Sequence, residues 1–198
     1  MPLVPVSKLH GTYNDFVVLD QRSSSVPDLI SFARHACNRR TAIGADGLLA
    51  ILPSQIADAR MRIINADGSE AEMCGNGIRC VARFLNARAL GDEFRIETLA
   101  GVIQTKIVSK TPEFLVRVNM GIPDLQDRAI PFPNSACVSM GNPHVVLFMD
   151  AVDTVDLPEI GRKVEQGASF PDGTNVHIAQ RTGPGALRVR HWERGVGL

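Results

Sequence analysis

The chain has 198 residues, of which 44% are hydrophobic and 21% are charged. These proportions are typical of globular proteins and exclude a disordered or fibrous chain. The 21 Lys and Arg residues balance 21 Asp and Glu residues, so the charge indicates neither a nucleic-acid surface nor an anionic-membrane surface. A small-molecule ligand is therefore expected.

The cysteine spacing matches neither a disulfide framework nor a CxxC zinc site; the four cysteines are Cys37, Cys74, Cys80 and Cys137. We expect four thiols and no metal. No apolar run reaches membrane-spanning length, and the N-terminus lacks the basic and apolar regions of a signal peptide. These features predict a cytoplasmic protein.

The first half of the chain alternates apolar segments with turn residues, which predicts strands at 4–9, 16–20, 48–52 and 61–64. Between them, a helical apolar stripe at 27–37 predicts a short helix capped by Ser25. The clearest helix is predicted at 76–90, before Gly91. That helix is apolar around much of its circumference, so we expect a sheet to wrap it.

The second half begins with strand patterns at 94–99, 102–108 and 114–120. Residues 121–134 are rich in Pro and Asp and lack periodicity, which marks a boundary and predicts domains at 1–121 and 134–198. The second domain shows strand patterns at 136–140, 145–149, 175–180 and 186–193, and a helix start at Asp156. Strands and helices without strict alternation indicate an α+β fold.

The segment 65–80 is a polar loop that runs into the clearest helix. Cys74 lies at the helix start, where backbone N–H groups and the helix dipole favour a thiolate. The flanking glycines let a ligand approach the backbone, and the same N–H groups can bind a carboxylate. The residues alone leave two interpretations open, a reactive thiol beside an anion site or a small buried cysteine. We expect the other three cysteines in the core.

Three further segments, 11–15, 141–144 and 172–175, place uncharged amides beside Gly or Pro. Each alone indicates a turn, and together they can line a polar pocket. A structural role is the simpler interpretation of the histidines, which are His10, His35, His144, His177 and His191. Glu193 and Arg194 fit either a surface pair or a clamp for a carboxylate or ammonium group.

Six motifs occur in one order: His10-Gly11 with Asn14-Asp15-Phe16, Ile43 to Gly47, Asn65 to Cys80, Ser139 to His144, Gly173-Thr174-Asn175, and Trp192 to Gly195. In this order they resemble the diaminopimelate epimerase family from about Ser7 to Gly197. The resemblance implies two α+β domains, each a curved mixed sheet around a central helix, with the active site in the cleft between the helix starts. The second domain is expected to be incomplete.

The family interconverts LL- and meso-diaminopimelate for lysine and peptidoglycan synthesis, without pyridoxal phosphate or metal, and relatives suggest a homodimer. One cysteine thiolate abstracts the α-proton while a second thiol donates one from the opposite face. The resemblance makes Cys74 one of this pair, and Gly75 and Asn76 the carboxylate cradle. It implies that His144 and Glu193 tune the thiols. The implied substrate-binding residues are Asn14, Asn65, Gly75, Asn76, Asn142, Asn175, Glu193 and Arg194.

Three features depart from the family pattern. Thr12-Tyr13 replaces a small pair, and Gly47 stands where some relatives have Gln. The printed sequence ends before the family's Ala-Cys-Gly-Thr motif, which carries the second cysteine. We therefore expect a truncated epimerase whose 198 residues do not perform two-base epimerisation. Two alternatives stay open, a related amino acid racemase or isomerase and a non-catalytic binding remnant.

Overall fold

The computed structural model describes residues 3–195 and 197, and it forms two compact units divided along the chain between Met120 and Gly121. Each unit combines a mixed sheet with one or more helices, which confirms the predicted α+β class. Among the described residues, no helix is long and apolar enough to cross a membrane.

In its described residues, unit 1 has two helices, α1 (Leu29–Ala36) and α2 (Gly75–Asn86), and eight strands. The strands are β1 (Ser7–Gly11), β2 (Asn14–Asp20), β3 (Gly47–Leu52), β4 (Ala59–Asn65), β5 (Glu70–Ala71), β6 (Glu93–Thr98), β7 (Gly101–Ser109) and β8 (Leu115–Val118). The strand order is β1-β2-β3-β4-β6-β7-β8, with β5 paired to β4.

The sheet of unit 1 curls around helix α2. The outermost strands, β1 and β8, both contact α2, and so do the strands between them. A flat sheet does not bring both of its ends to one helix, so these contacts require curvature. The predicted wrapping of this helix by a sheet is confirmed.

Strands β2 and β3 are buried on both faces. Val18 and Leu49 pack in the core around α2, whereas Val17 and Leu48 pack on the opposite face against α1. Successive side chains on a strand point to opposite faces, so a strand covered on both sides needs an unbroken apolar run. The runs at 16–19 and 48–51 meet this requirement.

Helix α1 starts three residues later than the cap predicted at Ser25 would place it. Asp28, not Ser25, is the N-cap residue, and its Oδ1 accepts a hydrogen bond from the backbone N of Ser31 at 2.9 Å. Asp and Ser both serve this role, and the choice depends on which residue precedes the first helical turn. Pro27 favours extended backbone at Val26 and so keeps the helix from starting earlier.

The turn between β1 and β2 consists of Thr12 and Tyr13, with φ angles of 50° and 70°. Two-residue hairpin turns with positive φ at both positions prefer Asn-Gly. Thr is branched at Cβ and strained in this region, so the turn imposes a steric cost on the hairpin. Asn14, the first residue of β2, pairs directly with Gly11 across it.

In its described residues, unit 2 has one helix, α3 (Leu157–Glu165), and a five-stranded sheet ordered β13-β12-β11-β10-β9. The strands are β9 (Asp124–Gln126), β10 (Ser135–Ser139), β11 (Pro143–Phe148), β12 (Asn175–Gly183) and β13 (Ala186–Trp192). Strand β9 lies where the sequence predicted no strand. It is three residues long with Asp124 and Leu125 exposed, so it lacks a periodic pattern and is held by pairing with β10.

Helix α3 packs closely on β13. Asp156 is the N-cap, as predicted, and accepts a hydrogen bond from Glu159 N at 3.0 Å. A Cβ atom at Gly161 would lie 2.4 Å from Cγ of Trp192, so only glycine fits here. Trp192 Nε1 donates to Glu165 Oε2 at 2.7 Å, which holds the ring in place.

We expect Gly161→Ala to destabilise unit 2 by up to about 2 kcal/mol, because an overpacking cost of about 1–3 kcal/mol is offset by a gain in helix propensity of about 1 kcal/mol. Trp192 is the single tryptophan, so urea unfolding followed by its fluorescence reports on this unit. Gly183→Ala is the matched control, because a Cβ atom there meets nothing within 4 Å. Equal midpoints for both variants would contradict the packing argument.

We expect replacement of Thr12-Tyr13 by Asn-Gly to stabilise unit 1 by about 1 kcal/mol, because it relieves two strained φ angles. Thermal unfolding measured by circular dichroism tests this. Tyr13→Phe keeps the strain and serves as the control. A loss of stability in the Asn-Gly variant would show that the native turn carries no such cost.

Candidate functional site

Cys74 is the N-cap residue of α2. Its backbone is extended, with φ −140° and ψ 114°, and its Sγ accepts a hydrogen bond from Gly77 N at 3.3 Å. The sulfur thus occupies the place of the oxygen in a Ser or Asp cap. Because Sγ lies at the positive end of the helix dipole, negative charge on it is stabilised. The side chain is half-buried, so it is not a sealed core cysteine.

Two glycines bring the first turn of α2 against the sheet. A Cβ atom at Gly77 would lie 2.9 Å from Cδ2 of Leu49, on β3. A Cβ atom at Gly11, on β1, would lie 2.6 Å from the backbone oxygen of Asn76. The approach at Gly11 requires glycine because the neighbouring atom is backbone, whereas a Cβ atom at Gly77 would force the Leu49 side chain to move.

The other three cysteines are buried free thiols, as the sequence predicted. Burial raises the pKa of Cys37 to about 11, and burial, with a smaller effect of Cys74, raises the pKa of Cys80 to about 12. Burial also raises the pKa of Cys137. All three are therefore thiols rather than thiolates at neutral pH.

Asn14 and Asn76 are joined beside the helix start. Asn76 Nδ2 donates to Asn14 Oδ1 at 2.6 Å, and Asn14 Nδ2 donates to Asp46 Oδ2 at 3.1 Å. This chain fixes the orientation of both amides. Cys74, Gly75, Asn76 and Asn14 are thus brought together in unit 1.

Asp46 is held by a cluster of charges. Arg39 Nη2 donates to Asp46 Oδ1 at 2.8 Å and to Asp15 Oδ1 at 2.6 Å. Lys8 Nζ lies 2.8 Å from Asp15 Oδ2. The hydrogen bonds from Arg39, aided by Lys8, hold the pKa of Asp15 well below its usual range. Sequence reasoning did not assign Asp46 to the site, although it lies within one of the six motifs.

Asn65 lies at the same edge of the sheet as Asn14, but it is not hydrogen-bonded to Asn14 or Asn76. Its Nδ2 donates to Ser69 Oγ at 2.9 Å, within the turn that follows β4. Asn65 pairs with Gly47 across β3 and β4, and Ala66 N donates to Asp46 O at 3.1 Å. The turn that carries Asn65 is thereby attached to Asp46.

Unit 2 brings a second group of predicted residues together. Strands β11 and β12 run parallel, and His144 pairs with Asn175 in their register. Asn175 Nδ2 donates to Pro143 O at 3.1 Å, and its Oδ1 accepts from Arg194 N at 3.1 Å. Asn142 Oδ1 lies 2.8 Å from His144 Nε2. Asn175 therefore ties the segment around Arg194 to the segment around His144.

Arg194 and Glu193 follow the last strand of unit 2. Arg194 Nη1 donates to Asp172 O at 3.4 Å, and the side chain passes over Gly173, where a Cβ atom would lie 3.1 Å from Arg194 Cδ. Glu193 is exposed, and its backbone forms a bridge with Gly197.

Three histidines lie side by side across unit 2. His144 Nδ1 lies 2.8 Å from His177 Nε2, and His177 Nδ1 lies 2.7 Å from His191 Nδ1. Burial, with smaller effects of His144 and His191, lowers the pKa of His177 to about 4. Burial also lowers the pKa of His144, and the positive charge of Arg194 adds to this effect. The residue patterns alone indicated separate structural histidines, and the family resemblance gave a role in tuning the thiols to His144 alone among the three.

Comparison with known proteins relates both units to one family. Residues 6–126 and 136–198 match the family model of diaminopimelate epimerase. The diaminopimelate epimerase of Moorella thermoacetica is 43% identical over 212 residues, which cover 96% of this chain and 76% of that protein. The diaminopimelate epimerase of Halothermothrix orenii is 42% identical over 219 residues, with 97% and 76% coverage.

A solved structure shows the same fold at low identity. A probable proline racemase from Agrobacterium radiobacter superposes with a TM-score of 0.71 at 14% identity, covering 98% of this chain and 72% of that one. This similarity supports the fold alone, whereas the family model and the two relatives establish membership. The chain is an isomerase that belongs to the diaminopimelate epimerase family.

Proposed function

We propose that this chain acts on diaminopimelate and that Cys74 transfers the proton at its α-carbon. The observation that carries the proposal is the half-buried sulfur at the start of α2, hydrogen-bonded to Gly77 N. The names of relatives at 42–43% identity support the substrate. An epimerase that inverts this substrate would serve lysine and peptidoglycan precursor synthesis in the cytoplasm, as a homodimer.

The helix start suits both parts of the reaction. The α-proton of an amino acid is weakly acidic, so its removal needs a base and stabilisation of the negative charge that develops. A thiolate at Cys74 supplies the base. The first-turn N–H groups of Gly75 and Asn76 have no acceptor within the helix and can bind the α-carboxylate.

Unit 2 offers groups that suit the remaining polar ends of the substrate. Diaminopimelate has two amino acid ends, and each carries a carboxylate and an ammonium group. The guanidinium of Arg194 fits a carboxylate, and the amides of Asn142 and Asn175 fit either group. We assign Glu193 to an ammonium group of the substrate because its carboxylate carries the opposite charge. We also assign Asn65 to the substrate because the turn that carries it is attached to Asp46.

A two-thiol mechanism needs a second thiol of similar accessibility. Cys37, Cys80 and Cys137 are at most 4% exposed and their pKa values are raised by burial, so they do not fit that role. We therefore propose that the printed 198 residues exchange the α-proton on one face of the carbon without inverting it. The thiolate removes a proton, the thiol exchanges it with solvent, and a solvent proton returns to the same face.

The first expected result concerns Cys74. In deuterium oxide, the chain should incorporate deuterium at the α-carbon of diaminopimelate with retained configuration, as measured by mass spectrometry and chiral chromatography. Cys74→Ala and Cys74→Ser should both lower this rate by about 10²–10⁴-fold, because the proton-transfer group is lost. Cys74→Ser keeps an oxygen that caps α2, so its stability should exceed that of Cys74→Ala by about 1 kcal/mol.

Cys37→Ala is the matched control, since it removes a buried thiol from a different core. Equal exchange by Cys74→Ala and the unsubstituted chain would remove Cys74 from the mechanism. Exchange on proline, histidine or glutamate but not on diaminopimelate would favour a related racemase or isomerase. Binding of diaminopimelate without any exchange would favour a binding remnant.

The second expected result concerns Asp46, which orients Asn14 and through it Asn76. Asp46→Asn loses the charge-assisted bond to Arg39, so KM for exchange should rise about tenfold, corresponding to about 1.4 kcal/mol. The rate of Cys74 alkylation by iodoacetamide should stay unchanged. Asp20→Asn is the control, because Asp20 forms a comparable pair with Arg22 at 2.8 Å elsewhere in unit 1. The same rise in KM for both variants would reject a positioning role.

A further inference from the structure

Three histidines of unit 2 form a hydrogen-bonded row that ends at Asn142. They lie on adjacent strands, His144 on β11, His177 on β12 and His191 on β13. Nδ1 of His144 lies 2.8 Å from Nε2 of His177, and Nδ1 of His177 lies 2.7 Å from Nδ1 of His191. Oδ1 of Asn142 lies 2.8 Å from Nε2 of His144. Each contact between neighbouring groups in the row therefore needs one hydrogen.

The amide oxygen at the end of the row determines where each hydrogen lies. Oδ1 of Asn142 can only accept, so Nε2 of His144 carries a hydrogen. Burial lowers the pKa of His144 and of His177, so both rings are neutral at neutral pH and carry one hydrogen each. Nδ1 of His144 must then accept from Nε2–H of His177, and Nδ1 of His177 must accept from Nδ1–H of His191. All hydrogen bonds of the row thus point from His191 towards Asn142.

The direction of the row also determines which end of the Asn142 amide is available to a ligand. With its oxygen bonded to His144, Asn142 presents its Nδ2 group, and no residue that the structure describes bonds to that nitrogen. The side chain is half-buried, so a ligand can reach it. The positive charge of Arg194 also acts at this end of the row, where it helps to lower the pKa of His144. Amide N–H and guanidinium groups are both donors, and a carboxylate accepts from both.

We propose that His177 is a positioning residue, which sets the orientation of the Asn142 amide by donating a hydrogen bond to Nδ1 of His144. That donor keeps His144 as the Nε2–H tautomer, and the Nε2–H group keeps the oxygen of Asn142 turned away from the ligand. His191 supports His177 in the same way, because it donates to Nδ1 of His177. The role is one of orientation, and each hydrogen stays on the nitrogen that donates it.

The use of this orientation in substrate binding rests on the proposed function, in which Asn142 contacts diaminopimelate. Because Nδ2 of Asn142 can only donate, it favours a carboxylate of the substrate over an ammonium group. His177 acts through His144, so its effect should appear in binding rather than in the rate of proton transfer. The hydrogen positions involve only unit 2 and are measured without substrate. Failure of the Cys74 proposal therefore does not affect that measurement.

The first measurement is nitrogen-15 NMR of the imidazole rings in the full chain, without ligand and at neutral pH. The chemical shifts should show both His144 and His177 as the Nε2–H tautomer. His177→Gln keeps an N–H group near the position of Nε2, so it should retain the His144 tautomer. His177→Leu removes the donor, so His144 should become a mixture of both tautomers. An Nδ1–H tautomer of His144 in the unsubstituted chain, or an unchanged tautomer in His177→Leu, would overturn the proposal.

The second measurement compares the binding of two analogues that each keep one amino acid end of diaminopimelate. At the other end, 2-aminopimelate keeps only the carboxylate, whereas lysine keeps only the ammonium group. By calorimetry, His177→Leu should weaken the binding of 2-aminopimelate about tenfold, the size of one hydrogen bond, and leave that of lysine unchanged. KM for exchange on diaminopimelate should rise by the same factor while kcat stays unchanged. Equal weakening for both analogues would indicate a merely structural role and would also overturn the proposal.

Two further variants separate loss of the donor from loss of the ring. His177→Gln should bind both analogues like the unsubstituted chain, because it restores the N–H group. His35→Leu is the matched control, since His35 is exposed on α1 and lies outside the row of histidines. Trp192 fluorescence verifies that each variant retains the packing of unit 2. The predicted tautomers in a chain that binds neither analogue would support the orienting role of His177 and reject diaminopimelate as the substrate.

Discussion

The close approach of α2 to its sheet determines where the sulfur of Cys74 lies. Glycine at positions 11 and 77 leaves room for β1 and for Leu49 against the first helical turn, and a Cβ atom at either position would collide with them. The turn therefore cannot slide along the sheet. The sulfur of Cys74, the N–H groups behind it and the amide of Asn76 keep one arrangement because the backbone beneath them does.

In each unit, hydrogen bonds from neighbouring residues orient the side-chain amide of an asparagine. Asn14 is oriented by Asp46, which Arg39 holds, and Asn175 is oriented by two backbone groups, Pro143 O and Arg194 N. An amide with both ends engaged has a single orientation, so little entropy is lost when a ligand binds. These polar side chains at strand ends keep one orientation because other residues hold each of them.

Local signals made the helices and Cys74 predictable. The apolar spacing of α2 and the capping residue of α3 act within one turn of chain, so they are visible without tertiary information. Strand β9 and the hydrogen-bonded row of histidines depend instead on pairing between strands, which local sequence patterns do not show. His177 and His191 are 14 residues apart and meet only because β12 and β13 pair in one register. Asp46 likewise reaches Asn14 across 32 residues, which only the parallel pairing of β2 and β3 explains.

One atom in unit 1 has two roles, since the sulfur that caps the first turn of α2 is also the base proposed for proton transfer. Selection for folding and selection for reactivity therefore act on the same position. Serine would satisfy the first and fail the second, and alanine would fail both. A homologue that no longer catalyses the reaction could carry serine at position 74 and still fold. Serine at this position would then indicate that catalysis is lost while the fold is retained.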